Sequence, residues 1–115
     1  MDVVVDANVL VVLASGDPRR PVAVAALQGW RAQGRAVHAP SLLPYEVASA
    51  LTRLVAAGQV EADAVPALWR ALQELPIKYH PLGEDLPTAV RIAGKLARSS
   101  AYDAAYLALA DRLGA

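Results

Sequence analysis

Val3-Val4-Val5-Asp6 decides the architecture. Three successive β-branched residues are too few for a helix and apolar on both faces, which is the pattern of a parallel strand covered from both sides. A carboxylate ends it. After a loop at Gly16-Asp17-Pro18, the stretch from Pro21 to Gln33 sets Val24, Leu27 and Trp30 at helical spacing, with Pro at the start and Gly34 just past the end. Ala36-Val37-His38-Ala39 reads as a second short strand stopped by Pro40. Ser41 then offers an N-cap, Pro44 sits in the first turn, and Val47, Ala50, Leu51 and Leu54 form an apolar stripe running to Gly58. Glu61 to Leu75 is helical by composition, with Leu68, Leu72 and Leu75 on one stripe and Pro66 near its start or at a kink. Ile77-Lys78-Tyr79-His80 alternates as a third strand. Leu86 to Arg98 forms a further helix with Val90, Ala93, Leu96 and Ala97 toward a core, and Ser100 caps a last helix, Tyr102 to Leu113, closed by Gly114. The expected order is β-α-β-α-α-β-α-α. Strands interleaved with helices of this length imply an α/β three-layer sandwich, a small parallel sheet flanked by helices through right-handed crossovers.

The chain has 115 residues, which fit one domain over 1–115 and bury roughly two-thirds of the surface the unfolded form exposes. The absence of Cys excludes disulfides and thiolate metal sites. No uncharged run is longer than ten residues, half of the ~20 that span a bilayer. No basic segment precedes an apolar one at the N-terminus, so the expectation is a soluble cytoplasmic protein with no membrane association. Eleven basic residues balance eleven acidic ones, and nine of the basic residues are Arg, the better fork for phosphate. Net charge neither favours nor excludes an RNA partner.

Chemistry in an open parallel sheet gathers beyond the carboxyl ends of its strands. Asp6 stands at such an end, Glu46 lies early in the helix after the second strand, and Asp103 lies in the first turn of the last helix. If all three converge, each close pair repels by ~4 kcal/mol at 4 Å and an effective dielectric of 20, so the cluster requires protons or a cation. Oxygen ligands without neighbouring His or Cys select Mg²⁺ or Mn²⁺. Each acid also has a structural role open to it. Asp6 can form an Asx turn on the N–H of Asn8 or Val9, Glu46 can favour a helix N-terminus through the macrodipole, and Asp103 can complete a Ser100-x-x-Asp103 capping box. Asn8 can orient the Asp6 carboxylate, hold a metal-bound water or serve the turn. Asp111 lies ~12 Å further along its helix than Asp103 and falls outside the cluster. Glu84 and Asp85 read as caps for the helix at Leu86, His38 and His80 as packing or surface residues, and Trp30 and Trp69 as core or interface anchors.

Together these residues resemble the PIN-domain family, and especially the short toxin ribonucleases of bacterial and archaeal toxin-antitoxin pairs. The resemblance spans nearly the whole chain. Val-Val-Val-Asp6-Ala-Asn8-Val-Leu is similar to the first family motif, Pro40-Ser41-Leu-Leu-Pro-Tyr-Glu46-Val-Ala to the second, and Ser-Ala-Tyr102-Asp103-Ala-Ala-Tyr-Leu-Ala-Leu-Ala to the third. Three motifs in order make the signal specific. What the resemblance implies is endonucleolytic cleavage of RNA through Mg²⁺ or Mn²⁺, with Asp6 and Asp103 as metal ligands. Glu46 would be a further acid, acting as a ligand through water or as an aid to deprotonating the nucleophile. It also implies an antitoxin wrapping the apolar helices and a homodimer, for which the helical pair around Leu51 to Leu75 is the expected interface. Family members usually continue into a further strand with a fourth acid, so a C-terminal strand beyond Ala115 is expected and missing from the 115 residues. The competing expectation is a PIN-like module that binds a protein or RNA without cutting. A phosphoryl-transfer domain with Asp6 as nucleophile ranks below both, because Asn8 stands where it needs an acid.

Overall fold

The computed structural model describes residues 2–96 and 102–115, with the side chains of Tyr102 and Asp103 excepted. Strands β1 (Val3–Val4), β2 (Val37–Pro40) and β3 (Ile77–His80) pair in parallel in the order β1-β2-β3. Val3 lies opposite Val37, and the β2 to β3 register runs from Val37 opposite Ile77 to Pro40 opposite His80. All four residues of β2 are buried, as befits a strand paired on both edges and covered on both faces. The connections are helical, as parallel pairing requires. They are α1 (Ala7–Ala14) and α2 (Arg20–Ala32) after β1, α3 (Leu43–Ala56), a 3₁₀ turn at Ala62–Ala64 and α4 (Val65–Gln73) after β2, and α5 (Leu86–Lys95) and α6 (Tyr102–Leu113) after β3.

Two bodies of apolar contact hold these elements. Val5, Leu10, Val37, Ala39, Leu43, Val47, Leu51, Leu72 and Tyr106 make the main core, joining the sheet to α1, α3, α4 and α6, with Trp30 and Trp69 packed against it. Ala89 and Ala93 of α5 meet Ala104 and Ala108 of α6 in a second, where small side chains let the two helices approach closely. α6 also lies against β1 and β2. Among the described residues no helix is long and apolar enough to cross a membrane.

The element order departs from the sequence reading in two places: the expected helix from Glu61 to Leu75 is a 3₁₀ turn followed by α4, and Ala7 to Ala14 is a helix. Its apolar run of Val9-Leu10-Val11-Val12-Leu13 has no polar face to mark a helical period, so local pattern does not separate it from extended chain. The Asp6 side chain makes the difference. It accepts the Val9 N–H and starts the helix, and burial of Leu10 and Val12 sustains it. Pro66 falls in the first turn of α4, where its missing N–H costs nothing. Ser41 does not cap α3; its N–H donates instead to the His80 carbonyl and extends the β2 to β3 pairing. In α5 the buried positions are Ala89 and Ala93, whereas Val90 and Leu96 are exposed. Asp85 stands at the N-cap of α5 but spends its carboxylate elsewhere. It is 4% exposed and receives two hydrogen bonds from Arg112 near the end of α6, at 2.7 and 3.2 Å. Ala97 and Ser100 lie outside the described residues. Gly34 and Gly58, past the ends of α2 and α3, take φ of +69° and +73°, where any Cβ would strain the backbone.

Leu10 is 1% exposed and holds α1 to the main core. Leu10→Ala is expected to destabilise the fold by about 2–5 kcal/mol through lost transfer energy and an unfilled cavity. A urea titration should show a lowered midpoint with an unchanged slope.

Candidate active site

β1 and β2 leave the sheet side by side in the same direction, and each passes into a helix that begins with an acid. Asp6 is the N-cap of α1, one residue beyond buried Val5. Its Oδ1 accepts the Val9 N–H at 3.3 Å, the Asx interaction open to it from sequence, and the residue is exposed. One carboxylate oxygen is thereby left for other work. Glu46 sits in the first turn of α3, beside the buried stripe of Leu43, Val47 and Leu51 that presses the helix onto the core. That position leaves it half-buried. α1 packs against α3, so the two acid-bearing N-termini belong to one pair of neighbouring helices. Both carboxylates stand at the positive ends of helix dipoles.

Glu46 is held from a third direction. The Tyr106 hydroxyl donates to Glu46 Oε1, from a ring buried in the main core. Tyr106 follows Asp103 by three residues on α6, and positions three apart on a helix share a face. The backbone of Asp103 is in the first turn of α6; its side chain lies outside the described residues. Asn8 is exposed in the first turn of α1. Sequence reasoning passed over Tyr106 because a tyrosine at helical spacing among Ala and Leu reads as core. Its position three residues after an acid in the third motif was the available signal.

Among the described residues neither Asp6 nor Glu46 has a Lys, Arg or His partner; the ion pairs are Arg19 with Asp17, His38 with Asp2, and Arg112 with Glu84 and Asp85. Unpaired carboxylates on adjacent helices suit a hard divalent cation, and the available donors are all oxygens. Among the described residues no three His, Cys, Asp or Glu side chains are grouped so as to hold a metal ion. Two apolar clefts lie elsewhere. One, of about 420 Å³, is walled by Leu13, Val24, Leu27, Leu72 and Ile77 with exposed Arg20 and Arg31; the other, of about 750 Å³, runs between α3 and α4 past Tyr45, Leu51, Val55 and Trp69. Neither is lined by Asp6, Asn8 or Glu46.

Comparison with protein families matches residues 3–115 to the PIN domain. Comparison with individual curated proteins returns no match.

Tyr106→Phe removes the hydroxyl that steadies Glu46 while keeping the ring in the core. The variant is expected to lose about 1 kcal/mol of stability, the net value of one hydrogen bond. It should also bind Mn²⁺ about tenfold more weakly in calorimetry, the usual effect of removing a group that orients a ligand.

Proposed function

Since the chain belongs to the PIN-domain family, whose members are generally nucleases, we propose that it is a metal-dependent endoribonuclease hydrolysing RNA phosphodiester bonds, the toxin of a toxin-antitoxin pair. The observation that carries this reading is the pair of carboxylates at the starts of α1 and α3 that have no cationic partner among the described residues, with Glu46 tied through Tyr106 to the helix that bears Asp103. Asp6 and Asp103 are the proposed ligands of Mg²⁺ or Mn²⁺. The chemistry such an ion supplies when bound is neutralisation of the carboxylates, a lowered pKa for water and stabilisation of charge developing on the phosphate.

The protein's own groups have separable tasks. Asp6 keeps one oxygen on the Val9 N–H, which fixes the carboxylate in orientation while its second oxygen stays available. Glu46, with Oε1 occupied by the Tyr106 hydroxyl, presents its other oxygen as a ligand through water or as the group that accepts the proton of the attacking water. Asn8, in the first turn of α1 and exposed, is proposed to hold a water or the phosphate by its amide.

The two clefts supply places for the proposed partners. Apolar walls flanked by Arg20 and Arg31 complement an antitoxin segment carrying aliphatic side chains and acidic neighbours. The cleft between α3 and α4 falls within the Leu51 to Leu75 region expected to join two copies. Val55→Glu there should shift a homodimer to monomer in light scattering, and a wild-type monomer at high concentration would remove the dimer.

The nuclease itself is tested by calorimetric titration with Mn²⁺ beside an RNA cleavage assay. Asp6→Asn, Glu46→Gln and Asp103→Asn are each expected to weaken Mn²⁺ binding by at least roughly tenfold and to abolish cleavage. Binding unaffected by any of the three would mean that the acids do not form one site. Metal binding with no cleavage of any RNA would favour a module that binds without cutting.

A further inference from the structure

Asp2, His38 and His80 form a hydrogen-bonded chain across all three strands. Asp2 Oδ2 lies 2.8 Å from His38 Nε2, and His38 Nδ1 lies 2.8 Å from His80 Nε2. Asp2 immediately precedes β1, His38 belongs to β2 and His80 closes β3. The His38 side chain is buried, and its ring centroid is 5.0 Å from that of His80. The second Asp2 oxygen accepts the Ala36 N–H at 3.2 Å, so the carboxylate is anchored to the segment entering β2 as well.

The ends of the chain dictate where its hydrogens lie. The hydrogen bond from His38, then that from the Ala36 N–H, hold the Asp2 carboxyl below its usual value, so it is ionised and only accepts. His38 Nε2 therefore carries a hydrogen. A neutral His38 then offers a lone pair at Nδ1, and the 2.8 Å contact requires His80 Nε2 to donate to it. His80 Nδ1 is the one ring nitrogen outside the chain. We propose that Asp2, His38 and His80 form a proton-operated clasp on the sheet: the two rings take up one proton between them with the chain intact, and a second, which leaves neither facing nitrogen a lone pair, opens it.

The second proton sets two N–H groups against each other at hydrogen-bonding distance and two cations in neighbouring rings. The contact between β2 and β3 side chains is then lost. The groups that face the pair come from every element around it. Asp2 before β1 attracts positive charge on His38; for His80, Asp85 at the start of α5 favours the charged form, whereas Lys78 of β3 and Arg112 of α6 oppose it. Burial comes first among the causes, followed by His38 and Arg112, and the balance pushes His80 below its ordinary value of 6.5. The unfolded chain thus binds the proton before the folded one does. The His80 contribution to stability is complete above pH 6.5 and is lost as the pH drops from there toward the folded value.

The clasp is independent of nuclease activity, and its test needs none. Long-range ¹H–¹⁵N NMR on the labelled wild-type chain from pH 8 to 4.5 should show His38 as the Nε2–H tautomer. The pair should take up one proton, with the second at least one pH unit lower. His80→Gln retains a donor at the same place and cannot titrate, so the fall in Tm between pH 7.5 and 5 should shrink by at least half. A Nδ1–H tautomer at His38, two rings titrating independently near pH 6.5, or a His80→Gln variant that folds and loses as much Tm as wild type would each overturn the proposal. The NMR arm decides alone if that variant does not fold.

Discussion

The parallel ladder between β1 and β2 is the constraint on which the rest of the molecule depends. Val3 pairs with Val37 and Val4 with His38, and the Val5 N–H donates to the His38 carbonyl at 3.0 Å to extend the ladder to the edge of Asp6. Parallel strands leave a sheet at the same rim. Asp6 and the start of α3 consequently exit together, whereas an antiparallel pair would have sent them to opposite ends. The strands are only two and four residues long, so hydrogen bonds between them contribute less than the apolar contacts of α1, α3, α4 and α6 that close over them.

Structural and chemical roles coincide in the residues at that rim. Asp6 caps α1 with one oxygen, and a carboxylate has a second to offer. Glu46 stands where the dipole of α3 favours a negative charge and where a buried tyrosine can fix its direction. Among the described residues neither acid has a Lys or Arg beside it, so each carboxylate meets only helix N-termini and neutral hydrogen-bond donors.

The polar groups set into the interior follow a different rule. His38 and Asp85 are the buried polar residues among those described, and both are fully engaged, His38 by Asp2 and His80 and Asp85 by Arg112. No buried side-chain nitrogen or oxygen among the described residues lacks a partner. Such groups are costly unless satisfied, and here each ties together elements that apolar contact alone would leave free to slide. Asp2 and His80 join the outer strands to β2, and Arg112 joins the end of α6 to the start of α5.

Much of this was legible in the residues themselves. Ile77 to His80 forms the expected strand, Tyr102 to Leu113 the expected helix, and the stops at Gly34 and Gly58 fall where positive φ is needed. Asp6 at the end of the first strand and Glu46 early in the helix after the second also follow from spacing. What escaped was of two kinds. Ala7 to Ala14 lacks an amphipathic period because the helix is apolar nearly all round, and its helical state comes from a capping bond and burial. The pairing of Tyr106 with Glu46, of His80 with His38 and of Arg112 with Asp85 joins positions 60, 42 and 27 residues apart. Backbone preference is a property of neighbouring residues and can be read from them, so the sequence by itself determined the strands, most of the helices and the positions of the acids. Which polar side chains meet is set by strand order and helix packing, and only the folded chain brought those partners within hydrogen-bonding distance.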